Sequence, residues 1–491
     1  MSLSAIPRRR AKILATLGPA CAQEADIRQL VEAGVNGVRL NFSHGKPADH
    51  AAFIEATRRI GQELGVPIAI VQDLQGPKLR TAANAGGGPL ALAKGESVVL
   101  TVAAGQSQPG RIHVDYQPLP QDVATGDRIL LDDGRIELQV TGTGPQEVLT
   151  QVLVGGELGA HKGINLPGVK LSAQPLTEKD QSDLAFGLEH QVDLIAMSFV
   201  RRGQDLVELR QQIEQHGSSS LKPPVIGKLE RQEAIDNLAD ILEHSDGVMV
   251  ARGDLGVEVA AERVPSLQKR IIAQANEANR LVITATQMLE SMIRAPRPTR
   301  AESSDVANAV FDGSDVLMLS GETAVGQYPI QAVETMNRII LDAEAHAVEW
   351  GFIPTDGARK TVDDAAATTQ AARDLAHDRQ ARAIGVFTRS GRTALLMSKA
   401  RPSVPILGFT PEARTFYRMA LFWGVEPHLI PMADSVEAMI ELMEAALLQS
   451  GQVEAGDRVV LVASLPVGAM GPANMTYLHT IGQPVTPATA A

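Results

Sequence analysis

Two charged residues close the apolar run PVIGKLE (224–230), namely Lys228 and Glu230. Spaced by two on a strand, they point the same way. An apolar strand that ends in a charged pair on its inward face needs partners or a ligand. A second carboxylate, Asp254, closes the run DGVMVARGD. Two carboxylates from adjacent strand ends suit one hard divalent cation. Magnesium usually takes one or two carboxylates and fills its octahedron with substrate oxygens and water. Lys228, Arg39 and Arg80 would surround an anionic phosphoryl group. A metal with fixed cations is what phosphoryl transfer needs, because there the protein positions groups and neutralises charge. The chain has neither a GxxxxGK[ST] loop nor the protein-kinase motif set. Taken singly, each position reads equally well as a satisfied strand-end polar group. Asn41 and Ser43 would serve to cap the next helix, and Glu322 to make a structural salt bridge. Arg252-Gly253-Asp254 ends a buried strand and is no adhesion signal. Together these positions point to a site.

The set requires elements that bring it together. Eight apolar, β-like runs recur: KILATLG, NGVRLNFS, PIAIVQDL, DLIAMSFV, PVIGKLE, DGVMVARGD, LVITATQ and DVLMLSGE. Their unbroken apolar character predicts burial on both faces, as in a parallel sheet. Segments with apolar residues at three and four spacing fill the gaps and predict helices, among them 23–34, 48–65, 176–190 and 231–244. Eight strand–helix units predict a (β/α)8 TIM barrel, whose chemistry gathers at the C-terminal strand ends. Those ends carry Arg39, Asn41, Ser43, Asp73, Lys228, Glu230, Arg252, Gly253, Asp254, Thr284, Thr286, Ser320 and Glu322.

More than a hundred residues separate the third and fourth strands. Their texture turns to Gly-rich turns and β-branched alternation, with a hairpin signal at Asp132-Asp133-Gly134. This predicts an all-β domain, a lid at 75–169, inserted into a barrel of 1–74 and 170–345. From 346 to 491, strands ARAIGVFT, VPILGFTP and DRVVLVASLP alternate with helical stretches and predict a C-terminal open α/β domain. The tail PVTPATAA is expected to fray.

The bulk numbers fit several cores in 491 residues, 44% of them hydrophobic. Asp and Glu outnumber Lys and Arg by 57 to 45, for a formal charge of −12. That balance argues against nucleic-acid and membrane-surface partners. The basic cluster Arg8-Arg9-Arg10 with Lys12 reads as a solvated terminus. One cysteine, Cys21, no signal-peptide core and no apolar run of about 20 residues lead to the expectation of a cytoplasmic protein.

The motifs VRLNFSHG, DLQGPKLR, HKGINLPG, DGVMVARGDLGVE, TATQMLESM, PRPTRAESSDVANAVFDGSD and MLSGETA, in this order, closely resemble those of the pyruvate kinase family. The resemblance covers nearly the whole chain and is looser in the third domain. It implies transfer of the phosphoryl group of phosphoenolpyruvate to ADP, with the enolate then protonated to pyruvate. By position, Lys228 matches the lysine that stabilises the transferring phosphoryl group, and Arg39 a phosphate-contacting arginine. Glu230 and Asp254 match ligands of Mg2+ (or Mn2+). Gly253 and Asp254 match backbone N–H donors to the substrate carboxylate, and Thr286 a hydroxyl that touches it. Thr286 and Ser320 match a water-linked proton relay. His44, Arg80 and Lys162 match nucleotide-side positions, Lys162 on a closing lid. The family is usually tetrameric, which implies a homotetramer.

Many family members need potassium, with ligands matching Asn41, Ser43, Asp73 and the carbonyl of Leu74. Their stretch reads more like DTKGPEIR, where this chain has DLQGPKLR. Lys78 thus stands where those enzymes carry glutamate and would supply the fixed positive charge, as in potassium-independent members. Lys78 pointing to solvent at the domain hinge is the bland alternative. In the third domain, Ser390-Gly391-Arg392-Thr393 forms a turn between a strand and a helix. In the family this region holds sugar-phosphate effectors, and a plain strand–helix turn reads equally well. A metal-enolate lyase would need neither Lys162, Arg80 nor the lid. A non-catalytic descendant would have lost one of Lys228, Glu230, Asp254 or Thr286, and all four are present.

Overall fold

The computed structural model of the protein describes residues 9–216, 222–347 and 361–484. Arg8 and all of the expected frayed tail after Pro484 lie outside the described residues. The eight predicted strands are Lys12–Thr16, Gly37–Asn41, Ala69–Leu74, Leu194–Met197, Val225–Leu229, Gly247–Ala251, Leu281–Ala285 and Val316–Leu319. They pair in parallel and close into a barrel, the first strand meeting the eighth with Lys12 opposite Val316. Seven of the eight are buried at every position, the second strand Gly37–Asn41 at all but Arg39 and Asn41, and both faces carry apolar side chains. One face packs on the surrounding helices and the other fills the lumen.

Helices fall where the three-and-four spacing places them, with one difference. The segment 231–244 forms two helices, Gln232–Asp236 and Leu238–His244. Asn237 between them turns its side chain to donate to Arg201 O at 2.9 Å. A polar side chain that competes for local backbone acceptors interrupts a helix in this way.

Between the third and fourth barrel strands, six strands form one sheet and two more, Leu90–Leu92 and Gly156–Leu158, form a second. Alternation is clear in Glu147–Val154, where Val148, Thr150 and Val152 point inward. Asp132 and Asp133 take φ of 54° and 55°, and Gly134 follows at 82°. That left-handed run turns Arg128–Leu131 into Ile136–Thr143. The apolar cluster of this domain runs from Leu79 to Val169, with Leu171 and Ala173 packed on it.

The C-terminal domain is a five-stranded sheet. Ala383–Phe387, Ile406–Thr410, Val425–Leu429 and Arg458–Ala463 are parallel, and Met475–Thr480 is an antiparallel edge. Its apolar face reaches the barrel. Leu14, Val71 and Met249 in the lumen share one buried cluster with Met419, Leu421 and Phe422. The C-terminal domain therefore plugs the N-terminal end of the barrel.

The expectation of a solvated basic terminus is corrected here. Arg9 donates to Ala11 O at 2.7 Å and Gly34 O at 2.5 Å. The backbone N–H groups of Arg10 and Ala11 donate to the Glu344 carboxylate. The Arg10 guanidinium lies 5.3 Å from the Trp423 ring centroid. Lys12 is 7% exposed and donates to Val425 O at 2.8 Å. Long basic side chains bury their stems and carry their heads to carbonyl acceptors, so this cluster stitches barrel to C-terminal domain.

Candidate active site

Asp73 ends the third strand, 1% exposed, between two cations. Arg39 Nε reaches Oδ2 at 2.6 Å, and Lys228 Nζ stands 3.2 Å from Oδ1. Lys228 also meets Glu230 Oε1 at 2.8 Å and donates to Ser198 Oγ at 2.7 Å. Burial alone would depress the lysine, but Asp73 and Glu230 raise it above its ordinary value. Burial likewise pushes Asp73 up, yet Lys228 and Arg39 hold it below the usual carboxylate range. Lys228 therefore stays a cation at the mouth of the barrel. Strand-end pairing brings these groups together, because the second, third and fifth strands all end at this level.

Glu230 behaves differently. Burial raises its pKa, Lys228 opposes the rise, and the neighbouring charge of Asp254 adds to it. Two carboxylates close enough to repel, one of them buried, leave a charge deficit that a divalent cation would fill. The donor set fits magnesium on that ground. Glu230 Oε2 accepts from Phe199 N at 2.7 Å.

Thr286 adopts φ of 67°, unusual for a β-branched residue. Its carbonyl accepts from Arg252 at 2.6 Å, and its Oγ1 accepts from Gly253 N at 2.7 Å. Arg252 is anchored in turn on Asp305 at 2.7 Å. Ser320 Oγ is buried without a hydrogen-bond partner among the described residues. Thr284 donates to or accepts from Ser314 Oγ at 2.7 Å and is fully buried in the wall.

Several expectations change. Asn41 and Ser43 do not cap the next helix, whose N-cap is Lys46; Asn41 Oδ1 instead accepts from Ser43 N at 3.1 Å. Glu322 makes no salt bridge among the described residues. It accepts from Leu289 N at 3.0 Å and Ser320 N at 2.7 Å, so two backbone donors take the place of a cation. The Leu74 carbonyl accepts from Ser198 Oγ at 2.7 Å.

The nucleotide-side positions form a second group. Burial and the charges of Lys78, Arg80 and Arg39 all lower the pKa of His44, so those cations surround it. Lys78 makes no ion pair among the described residues, and it lines a cleft with Asn165, Arg231, Asp254 and Glu258. Arg80 donates to His161 O at 2.9 Å. Lys162 is not gathered with Lys228; it pairs with Asp132 of its own domain at 2.8 Å. The turn Ser390–Thr393 lies apart, in the C-terminal domain, beside a cavity of about 430 Å³. Gly391 there takes φ of 88°, and Arg392 pairs with Asp363 at 2.5 Å.

Sequence reasoning misses Ser198 and Phe199, which follow the fourth strand. Ser198 links the Lys228 ammonium to the Leu74 carbonyl. Phe199 takes φ of 56° and gives its N–H to Glu230. The signal available is positional, since of the eight strand ends only the first and the fourth contribute no candidate.

The family description "Pyruvate kinase, barrel domain" matches residues 8–333, and "Pyruvate kinase, alpha/beta domain" matches residues 366–479. The chain belongs to the pyruvate kinase family. It is therefore a phosphotransferase. A pyruvate kinase of Mycobacterium intracellulare is 44% identical over 477 residues, 97% of this chain and 99% of that one. One of Geobacillus stearothermophilus is 43% identical over 479 residues, 96% of this chain and 81% of the relative. Among solved structures, a Cryptosporidium parvum pyruvate kinase aligns with a TM-score of 0.88 at 33% identity, over 98% of this chain and 99% of that chain. The pyruvate kinase family thus accounts for the barrel, the inserted sheets and the C-terminal domain together.

Proposed function

We propose that the protein transfers the phosphoryl group of phosphoenolpyruvate to ADP, giving ATP and pyruvate, as the last step of glycolysis. The observation that carries this reading is the Lys228 ammonium held between Asp73 and Glu230 at the barrel mouth. A buried, fixed cation there neutralises charge on a phosphoryl group in transit without reorganising. Arg39, aligned by Asp73 and Thr16, offers a second cation to the same group. Glu230 and Asp254 would hold Mg2+ (or Mn2+). Such an ion, when bound, supplies Lewis-acid polarisation of substrate oxygens. Gly253 and Asp254 would give backbone N–H groups to the substrate carboxylate, the Gly253 N–H by release from Thr286 Oγ1, which accepts it at 2.7 Å. Thr286 and Ser320 relay a proton through water to the enolate carbon. His44, Arg80 and Lys162 serve the nucleotide, and residues 75–169 close over it as a lid.

Lys78 supplies the monovalent charge, so potassium is not required. What supports this is the field of Lys78 at His44, which follows Asn41 and Ser43 on one loop. The oxygens of Asn41, Asp73 and Leu74 already have protein donors. A sugar phosphate binds at Ser390, Gly391, Arg392 and Thr393, and the protein is a cytoplasmic homotetramer. No described helix is long and apolar enough to cross a membrane.

The test is pyruvate formation from phosphoenolpyruvate and ADP with magnesium, first without potassium and then with it. Full activity in potassium-free buffer is expected. Lys78→Glu is expected to create potassium dependence. A Lys78→Glu protein that works normally without potassium sinks the cationic role, and a wild type that makes no pyruvate in either buffer sinks the whole reading.

A further inference from the structure

Neighbouring residues on a strand end point to opposite sides. Glu230 faces the barrel mouth, and the next residue, Arg231, faces the inserted domain. Arg231 is 5% exposed. Its guanidinium donates to Val169 O at 2.9 Å and reaches Leu166 O at 3.5 Å. Leu166 and Val169 belong to the apolar cluster of the inserted domain. The guanidinium also stands 3.8 Å from Glu258, a carboxylate at the end of the helix that carries Asp254. Asn165, on the last strand of the inserted domain, lines the same cleft as that carboxylate. A second arginine holds the same limb lower down: Arg201 donates to Leu171 O at 3.0 Å and Ala173 O at 3.2 Å. Both carbonyl contacts of Arg231 come from Nη2, while its Nε is buried without a hydrogen-bond partner among the described residues. A guanidinium buried against the carbonyls of another domain is costly unless it fixes geometry.

We propose that Arg231 is a positioning residue that straps the returning limb of the inserted domain to the strand end carrying Glu230. It thereby sets how Lys162 and Asn165 stand over the barrel mouth. The inference rests on the nucleotide-side reading of the inserted domain given above. The strap selects for the nucleotide half of the reaction, because phosphoenolpyruvate is gripped by barrel groups that do not ride on the limb.

Arg231→Met keeps the apolar stem and removes the guanidinium. Arg231→Lys keeps one donor. Amide hydrogen exchange across 164–171 reads the strap without reference to activity, and it separates failure of this inference from failure of the assigned reaction. In Arg231→Met, exchange there is expected to quicken, and the KM for ADP to rise about 10- to 100-fold, the scale of hydrogen bonds from a charged donor. The KM for phosphoenolpyruvate and the half-saturating magnesium concentration should stay within about twofold, because Lys228 and Phe199 N hold Glu230 without Arg231. Arg231→Lys should fall between. Should Arg231→Met fail to fold, Asn165→Ala is expected to show the same ADP-selective rise. Unchanged exchange overturns the strap. So does a magnesium shift larger than the ADP shift, which would place the effect on Glu230, or an equal rise for both substrates, which would make Arg231 merely structural.

Discussion

Lys228 answers to two carboxylates, and its removal has two separable consequences. Lys228→Met is expected to lower kcat by at least about 10²–10³-fold, the loss typical of one preorganised electrostatic group. It also leaves Glu230 buried without its cation, which should cost about 3–5 kcal/mol in urea unfolding. Asp73 carries a pH signature. Its folded carboxyl titrates below its ordinary value near 3.8. The stabilisation is complete above that value, because the unfolded chain is then also ionised. It is lost as pH falls toward the lower folded value, where only the unfolded chain binds the proton. Unfolding titrations from pH 5 to pH 2.5 should show a shallower acid limb in Asp73→Asn than in wild type. Under the proposed assignment, Thr286→Ser keeps kcat within about threefold while Thr286→Ala lowers it about 100-fold, as expected for a hydroxyl that moves protons. Equal losses in both would place the role in the strained backbone instead. The charged members of this site were legible because charge at the end of an apolar strand is anomalous. Ser198 and Phe199 were not, since a serine hydroxyl and a backbone N–H leave no such anomaly.

Elements were legible where burial on both faces wrote a continuous apolar run. Seven of the eight barrel strands meet that condition at every position, and Gly37–Asn41 at all but Arg39 and Asn41. The strand Val425–Leu429 reads VEPHL, with only its first residue fully buried, and Met475–Thr480 alternates too weakly to stand out. Edge strands bury less, so their sequences say less. The helix Arg392–Lys399 links two regions that the sequence leaves unconnected. Its first turn carries Arg392 and Thr393 of the proposed effector residues, and Ser390 and Gly391 lead into it. At its last residue, Lys399 pairs with Asp315 at 2.5 Å, and Arg401 beyond it pairs with the same carboxylate at 2.7 Å. Asp315 immediately precedes the eighth barrel strand, whose far end carries Ser320. Asp315→Asn is expected to cost about 3–5 kcal/mol, because two cations that are 6% exposed or less lose their counter-charge. Chemical unfolding followed by Trp423 fluorescence would read it, since Arg401 stacks on that ring at 4.3 Å.

At the scale of the molecule, barrel and C-terminal domain behave as one packed body. A Cβ at Gly37 would stand 2.9 Å from Leu421 Cδ2 across that boundary. Gly37→Val is therefore expected to overpack it by about 1–3 kcal/mol and to split one unfolding transition into two. Calorimetry showing a single unshifted transition would refute this. The docking itself was illegible in the sequence. Arg9, Arg10 and Lys12 look like a solvated basic terminus until their acceptors, supplied by residues up to several hundred positions away, are in place.

The pairing of Lys12 with Val316 also sets a schedule. The ring cannot close until its eighth strand has been synthesised, roughly 300 residues after the first. At ordinary elongation rates that is about 15–60 s. The inserted sheets, whose strands all lie between Leu90 and Asn165, are complete well before then and can fold on the ribosome. Throughout that interval the first strand waits with an open edge and its apolar centre Ile13–Ala15 uncovered on that side, so the nascent chain depends on being kept from aggregating for longer than its mature compactness suggests.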